Sequence, residues 1–383
     1  MSGAFPTYDA LEGRFEEIWS CEPAGEEAGV TIGRSRAGRP VRAFRLGSGP
    51  LRVSLLAGCH ADEPVGPALL RRLAAHLRDL PDGDPLLTAI SWWILPHLDP
   101  DGEAANAAWQ RPGGTEPAAY DPALYLAHVE RAAPGDDVEF GFPRGEGDDG
   151  ARPENRAAWA WWREAGPFAL HASLHGMATG TGPWYLVEPG WLGRAALDGL
   201  LARCRASAAH AGFPLHDVER AGEKGFHRID RGFATRPDHV AMREHFLAAG
   251  DPATAALFRP SSMESVRALG GDPLTLVSEV PLFRVPEDGD DAGAWRERLR
   301  ERAAALRSGG ADAGRVVGAL EAAGLRPVPL VEQMRLVWAF VCAGLEAAAA
   351  GGTPAGADLP PAGADLPPGG AGRTPAASGR EGR

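Results

Sequence analysis

His60 and Glu63 lie three residues apart in Cys59-His60-Ala61-Asp62-Glu63-Pro64, between a strand-like apolar run and a helical one. At that spacing a turning chain lets both side chains reach one ion, and neutral imidazole and carboxylate are good Zn²⁺ ligands. His-x-x-Glu carries little weight by itself. A second copy, His216 and Glu219, falls in a polar stretch and reads as a solvated surface pair. The first copy follows a strand, the place where α/β sheets gather their ligands.

A catalytic zinc site usually has three protein ligands and one open position. His175, in Ser173-Leu174-His175-Gly176, ends an apolar strand and supplies the third. His171 shares that strand at even spacing and competes for the role. Its deeper position favours a hydrogen-bonded core histidine. His227, His239 and His245 have no ligand-like surroundings. Glu279 stands near the end of the apolar strand Leu274–Val280. A carboxylate there is costly to bury unless something pairs with it or uses it. It is either paired at a sheet edge or a general base whose pKa is raised by a dry site and balanced by a metal.

These residues need elements to position them. Strands are expected at Val30–Ile32, Val41–Leu46, Leu51–Leu56, Ile90–Leu95, Leu170–Leu174, Trp184–Val187 and Leu274–Val280. The first two are joined by a turn through Ala37-Gly38-Arg39-Pro40. Helical spacing runs from Pro64 to Leu80, with Pro64 near the first turn and Pro81 just past the end. Further helices are expected at Asn155–Ala165, Leu192–Ala211, Ala292–Arg307 and Leu330–Ala349. Alternating strands and helices predict an α/β fold with a mostly parallel sheet covered on both faces. Residues 1–350 read as one catalytic domain. Residues 351–383 hold PAGADLP twice in tandem and a Gly/Pro/Ser/Arg end, and read as a disordered tail. The acidic, Gly-containing segment from Asp136 to Glu154 reads as a surface loop or lid.

The chain has 383 residues, 44% apolar and 23% charged, which suits a folded globular domain rather than a fibre or a disordered chain. Net charge is −12, with no basic block, so nucleic acid is not an expected partner. The chain has one Lys (Lys224) and only two Asn (Asn106 and Asn155), which draws attention to both asparagines. The N-terminus lacks a signal-like apolar region, and the uncharged run Leu336–Leu345 is shorter than the ~20 residues of a membrane span. Four scattered Cys without a Cys-x-x-Cys suit buried thiols in a cytoplasmic protein. A cytoplasmic location without a membrane partner is therefore expected.

Taken in order, these pieces resemble the M14 zinc carboxypeptidase family (funnelins) across roughly residues 28–285. Thr31–Val41 resembles the family's Gly-x-Ser-x-x-Gly-Arg hairpin, and His60-x-x-Glu63 its first two zinc ligands. Pro100-Asp101-Gly102 matches the core of its Asn-Pro-Asp-Gly turn, with Asp99 in place of Asn. Asn106-x-x-Trp109 resembles the stretch before the oxyanion-stabilising Arg. Asn155-Arg156 matches the pair that grips a substrate's terminal carboxylate, and Ser173-x-His175 the third ligand's motif. Glu279 falls where the family's catalytic Glu ends a late strand. The resemblance implies a mixed eight-stranded sheet and one zinc per chain held by His60, Glu63 and His175. It also implies a substrate with a free carboxylate bound by Asn155 and Arg156. A guanidinium offers a carboxylate a bidentate fork.

This chain departs from the pattern in three places. Gln110 directly follows Trp109, so Arg111 becomes the oxyanion candidate, with Arg144 and Arg152 as substitutes. Pro153 stands where an Asp orienting the first His is common, with Glu154 adjacent. No Tyr occurs after Tyr185, so the digestive members' mobile Tyr is missing. The expected activity is removal of a C-terminal residue from a peptide by a zinc-activated water, with Glu279 as base. An amidohydrolase of the succinylglutamate desuccinylase/aspartoacylase or murein-peptide amidase type would use the same zinc and Glu on an acyl-amino acid. A non-catalytic peptide-binding module is the third reading, against which the intact His60, Glu63, His175 and Glu279 argue.

Overall fold

A computed structural model describes residues 5–25, 27–220, 222–287 and 292–351. Ten strands are present among them: β1 (Val30–Arg34), β2 (Pro40–Leu46), β3 (Leu51–Ala57), β4 (Ile90–Leu95), β5 (Leu170–Gly180), β6 (Trp184–Val187), β7 (Arg228–Asp230), β8 (Phe233–Thr235), β9 (Leu274–Arg284) and β10 (Arg326–Pro327). They form one sheet in the order β1-β2-β4-β3-β5-β9-β6-β8-β7, with β10 paired to β9 off this path. The expected eight-stranded, mostly parallel sheet is corrected on both counts. Parallel pairing joins β3/β4, β3/β5, β5/β9 and β6/β8, whereas five pairs run antiparallel. The extra strands β7, β8 and β10 are two or three residues long, too short for a period-2 pattern to declare them.

The seven expected strands and five expected helices are all present, with β5 and β9 running several residues further than their apolar cores. The central strands are buried along nearly their whole length, β4 at every position, as expected where helices cover both faces. The helix Leu330–Gly351 is long and apolar enough to cross a membrane by length and composition. Its apolar side chains, including Leu336, Trp338, Phe340 and Leu345, are fully buried in the domain core. Trp338 Nε1 donates to the Leu11 carbonyl at 3.0 Å, tying this helix to the N-terminal one. The domain unit spans Met1–Gly352, and the helix closes at Gly351. Beyond that residue, the expected tail lies outside the described residues.

His171 is a core residue. It is fully buried, with its Nδ1 hydrogen-bonded with Ser54 Oγ (3.0 Å) and its Nε2 with Ser262 Oγ (3.1 Å), one ring nitrogen donating and the other accepting. Burial pushes its pKa down to about 3, so the ring is neutral. Three adjacent parallel strands, β3, β5 and β9, then matter most. β3 ends beside Leu174, one residue short of His175, and Cα register places His175 of β5 beside Glu279 of β9.

Candidate metal centre

Gly58 follows β3 with φ +69°, a conformation that L side chains disfavour, and a Cβ there would fall 2.4 Å from the His97 ring. That tight turn leads into the Cys59–Glu63 loop. Gln110 Nε2 donates to the Ala61 carbonyl at 2.6 Å and so pins the loop from the helix Pro100–Gln110. Gly102 brings the same helix close, because a Cβ on it would approach Ala61 Cβ to 2.4 Å. The Asp99-Pro100-Asp101-Gly102 turn has two jobs. Asp99 caps the helix by accepting from Gly102 N–H, and Asp101 accepts from Ser35 Oγ, Ala37 N–H and Arg39 Nη1 in the β1–β2 turn.

The loop delivers His60 and Glu63 against His175. His60 Nδ1 stands 3.2 Å from His175 Nδ1 and 3.0 Å from Glu63 Oε1, and His175 Nδ1 stands 2.8 Å from Glu63 Oε2. Two nitrogens bound at about 2.0–2.1 Å to one tetrahedral Zn²⁺ lie about 3.3 Å apart, so this donor set fits that ion. The charges fit as well. Burial alone would lower both histidines. Glu63 next to His60 raises its pKa, and Glu139 and Glu63 next to His175 raise its pKa well above the ordinary value. Burial alone would raise Glu63, but His60, Arg131 and His175 hold it well below the usual carboxylate range. A divalent cation would take over the positive charge that these carboxylates favour and release protons on binding.

Glu279 sits one strand over and is partly exposed. Burial first, then the negative charge of Glu63, pushes its pKa up to about 8, against the pull of His175, His60 and Arg131. Beside the histidines, a cavity of about 200 Å³ is lined by Cys59, His60, Ala61, Asp99, Gly102, Glu130, Arg131, Ala132 and Asp137.

Arg131 was not legible in the sequence. Its Nη1 donates to both oxygens of Asp62 (3.2 and 3.0 Å) and to Glu63 Oε1 (3.0 Å), while its side chain remains 47% exposed. Asn106 fixes the backbone before it: its Nδ2 donates to the Glu130 carbonyl at 2.8 Å, and its Oδ1 accepts from Glu130 N–H at 2.9 Å and from Trp109 Nε1 at 2.8 Å. The rarity of Asn and the Asn106-x-x-Trp109 stretch drew attention to Asn106, but neither led to Arg131.

Arg111 is placed elsewhere. Its Nη2 is 3.5 Å from Glu103, and it lines a separate cavity with Arg71 and His97. The physical reason is the helix end. Gln110 is the residue turned towards the loop, and Arg111 follows as the C-cap on another side. Of the substitutes, Arg144 is bonded to the Phe258 carbonyl, and Arg152 is bonded to the Asp136 carbonyl with its Nη2 4.0 Å from Asp99 in the cavity wall. Asn155 is fully buried and donates to the Val138 carbonyl at 2.7 Å, so it stands in the wall of the site rather than facing a substrate. Arg156 is exposed and pairs with Asp149 at 2.9 Å. Glu154 is fully buried and accepts from Arg36 N–H, and so supports the hairpin turn. His216 accepts from Thr181 N–H at 3.3 Å, away from the metal cluster. The acidic segment is only partly a surface loop, since Val138 and Phe142 within it are fully buried.

The family model described as zinc carboxypeptidase (M14 peptidases) matches residues 28–185. No curated protein matches the chain. Among solved structures, carboxypeptidase A from Helicoverpa armigera is similar at 15% identity and TM-score 0.44, covering 91% of this chain and 74% of that one. A metallo-carboxypeptidase from Pseudomonas aeruginosa, in complex with (2-guanidinoethylmercapto)succinic acid, is similar at 17% identity and TM-score 0.37, covering 77% and 68%. A metallo-carboxypeptidase from Burkholderia cenocepacia gives 14% identity and TM-score 0.39, covering 90% and 68%. The matched segment takes in His60, Glu63, Asn155, Arg156 and His175 and stops before Glu279. Through residues 28–185 the chain is similar to the zinc carboxypeptidases of the M14 peptidase family.

Proposed function

We propose that this protein is a zinc-dependent metallocarboxypeptidase that hydrolyses the C-terminal peptide bond of a substrate with a free carboxylate. The observation that carries the reading is the convergence of His60 Nδ1, the Glu63 carboxylate and His175 Nδ1 beside a Glu279 that is kept out of any ion pair with the described residues. One zinc per chain, held by those three residues, supplies a Lewis acid that acidifies water and polarises a carbonyl oxygen.

The chain's own residues do the rest. Glu279 accepts the proton of the attacking water and passes it to the departing amine nitrogen as the C–N bond breaks. A base with a pKa above the usual carboxylate range accepts that proton readily near neutral pH. Arg131 takes the role expected of Arg111, offering positive charge to the carbonyl oxygen as it becomes negative. Arg156 is the candidate anchor for the terminal carboxylate. Its surface pair with Asp149, itself 91% exposed, is worth no more than about 1 kcal/mol and yields readily to a substrate anion.

The test is a panel of peptides with free and amidated C-termini, together with acyl-amino acids, assayed with Arg156→Ala alongside the unmodified protein. Free-carboxylate peptides are expected to be cleaved best, and Arg156→Ala is expected to raise their KM about tenfold or more while leaving amidated peptides unaffected. Faster cleavage of acyl-amino acids than of peptides would move the chain to the amidohydrolase reading.

A further inference from the structure

The far nitrogens of the two histidine ligands both meet carboxylates from one short stretch of chain. His175 Nε2 lies 3.1 Å from Glu139 Oε2 and 2.8 Å from Ser173 Oγ. His60 Nε2 lies 4.0 Å from Asp137 Oδ2, in ion-pair range and longer than a hydrogen bond. Between the two acids, the Val138 carbonyl is held by Asn155 Nδ2 at 2.7 Å. The stretch is fixed at other points too. Asp137 Oδ1 accepts from the N–H groups of Glu139 and Phe140, and Phe140 in turn accepts from Arg259 N–H.

Glu139 is 5% exposed, and its Oε2 has no fully aligned hydrogen bond, so its 3.1 Å approach to His175 Nε2 is the polar contact it makes there. A buried carboxylate without full hydrogen bonding is destabilising unless positive charge sits near it. The rings that act on it most strongly are the metal-facing histidines, His175 first and then His60, while the third ring within its reach, His171, is held neutral by burial. Cys59 Sγ lies on the same side, 3.9 Å from Ser173 Oγ, and burial keeps it a protonated thiol. The position where the family's D-x-N-R pattern places an orienting acid is Pro153 here, which has no side-chain acceptor.

We propose that Asp137 and Glu139 form a carboxylate strap that orients the two histidine ligands from outside, with Asn155 as its anchor. Glu139 fixes the His175 ring through Nε2, and so presents Nδ1 to the metal. Asp137 does the same for His60 more loosely. Both are positioning residues and touch neither metal nor substrate. This inference rests on the metal centre proposed above.

The experiment measures Zn²⁺ affinity of chelator-stripped protein by competition with a chromogenic chelator, for the unmodified chain and for Glu139→Ala, Glu139→Gln, Asp137→Asn and Ser308→Ala. Thermal melting of each metal-free protein is recorded in parallel. Partners outside the ligand set typically change metal affinity about 10- to 100-fold, and Glu139→Ala is expected to fall in that range. Glu139→Gln keeps an acceptor oxygen and is expected to recover part of the loss. Asp137→Asn is expected to lose less than Glu139→Ala, and the remote Ser308→Ala nothing. A purely structural role would instead lower the metal-free melting temperature and leave affinity alone. Affinity within twofold of the unmodified chain for both Glu139 variants overturns the strap and leaves the metal centre standing. No zinc uptake by the unmodified chain overturns both.

Discussion

Glu279→Gln is expected to lower peptide hydrolysis by about 10²–10⁴-fold, the usual contribution of general acid–base catalysis, while the protein retains its zinc. Gln keeps the size and shape of Glu but accepts no proton. Glu279 is not among the converging ligand atoms, so the metal's own donors are untouched. Stability gives the same prediction a second readout. Burial and Glu63 raise the Glu279 pKa to about 8, so folding disfavours the charged carboxylate. A neutral amide removes that cost, and the metal-free variant should melt no lower than the unmodified protein. Zinc content, kcat and the metal-free melting temperature check all three parts. Hydrolysis within tenfold of the unmodified rate would place the base elsewhere.

Arg131→Ala is expected to lower kcat/KM by about 10²–10³-fold, as removal of a group stabilising a developing oxyanion does. Arg111→Ala should leave it within about threefold, because that side chain is held beside Glu103 in another cavity. Arg131 also neutralises Asp62, which is 5% exposed and whose pKa is raised by burial. Losing its partner would by itself disturb the loop. The double variant Arg131→Ala/Asp62→Asn separates the two effects. It should restore zinc content and thermal stability without restoring kcat. Recovery of kcat in the double variant would show that Arg131 acts only by steadying the loop.

The two histidines, Glu63 and Glu279 were legible because each is marked locally. A metal-binding pair between a strand and a helix, a histidine ending an apolar strand and an acid within one all break a pattern that composition otherwise sets. Arg131 carries no such mark. It follows an irregular segment after the short helix Pro122–His128, and tertiary bonds from Asn106 to Glu130 and from Arg307 to the Val129 carbonyl bring it to the site. Asp137 and Glu139 are hidden for the opposite reason. They belong to a stretch whose acidity and glycines look solvent-facing, while the alternating Val138, Phe140 and Phe142 anchor it in the core. Asn155 was singled out correctly as unusual, but its amide is directed to the Val138 carbonyl. Sheet architecture divides in the same way. The long apolar strands were readable, whereas the edge strands β7 and β8 and the two-residue β10 depend on tertiary contacts.

Titrating Zn²⁺ into chelator-stripped protein, with hydrolysis of a free-carboxylate peptide followed at each addition, tests the metal centre most directly. Activity is expected to rise linearly and level off at one zinc per chain, and His175→Ala should neither bind the metal tightly nor regain activity. Full hydrolysis without metal, or zinc binding in His175→Ala equal to that of the unmodified chain, would contradict the assignment of His60, Glu63 and His175 as the ligands.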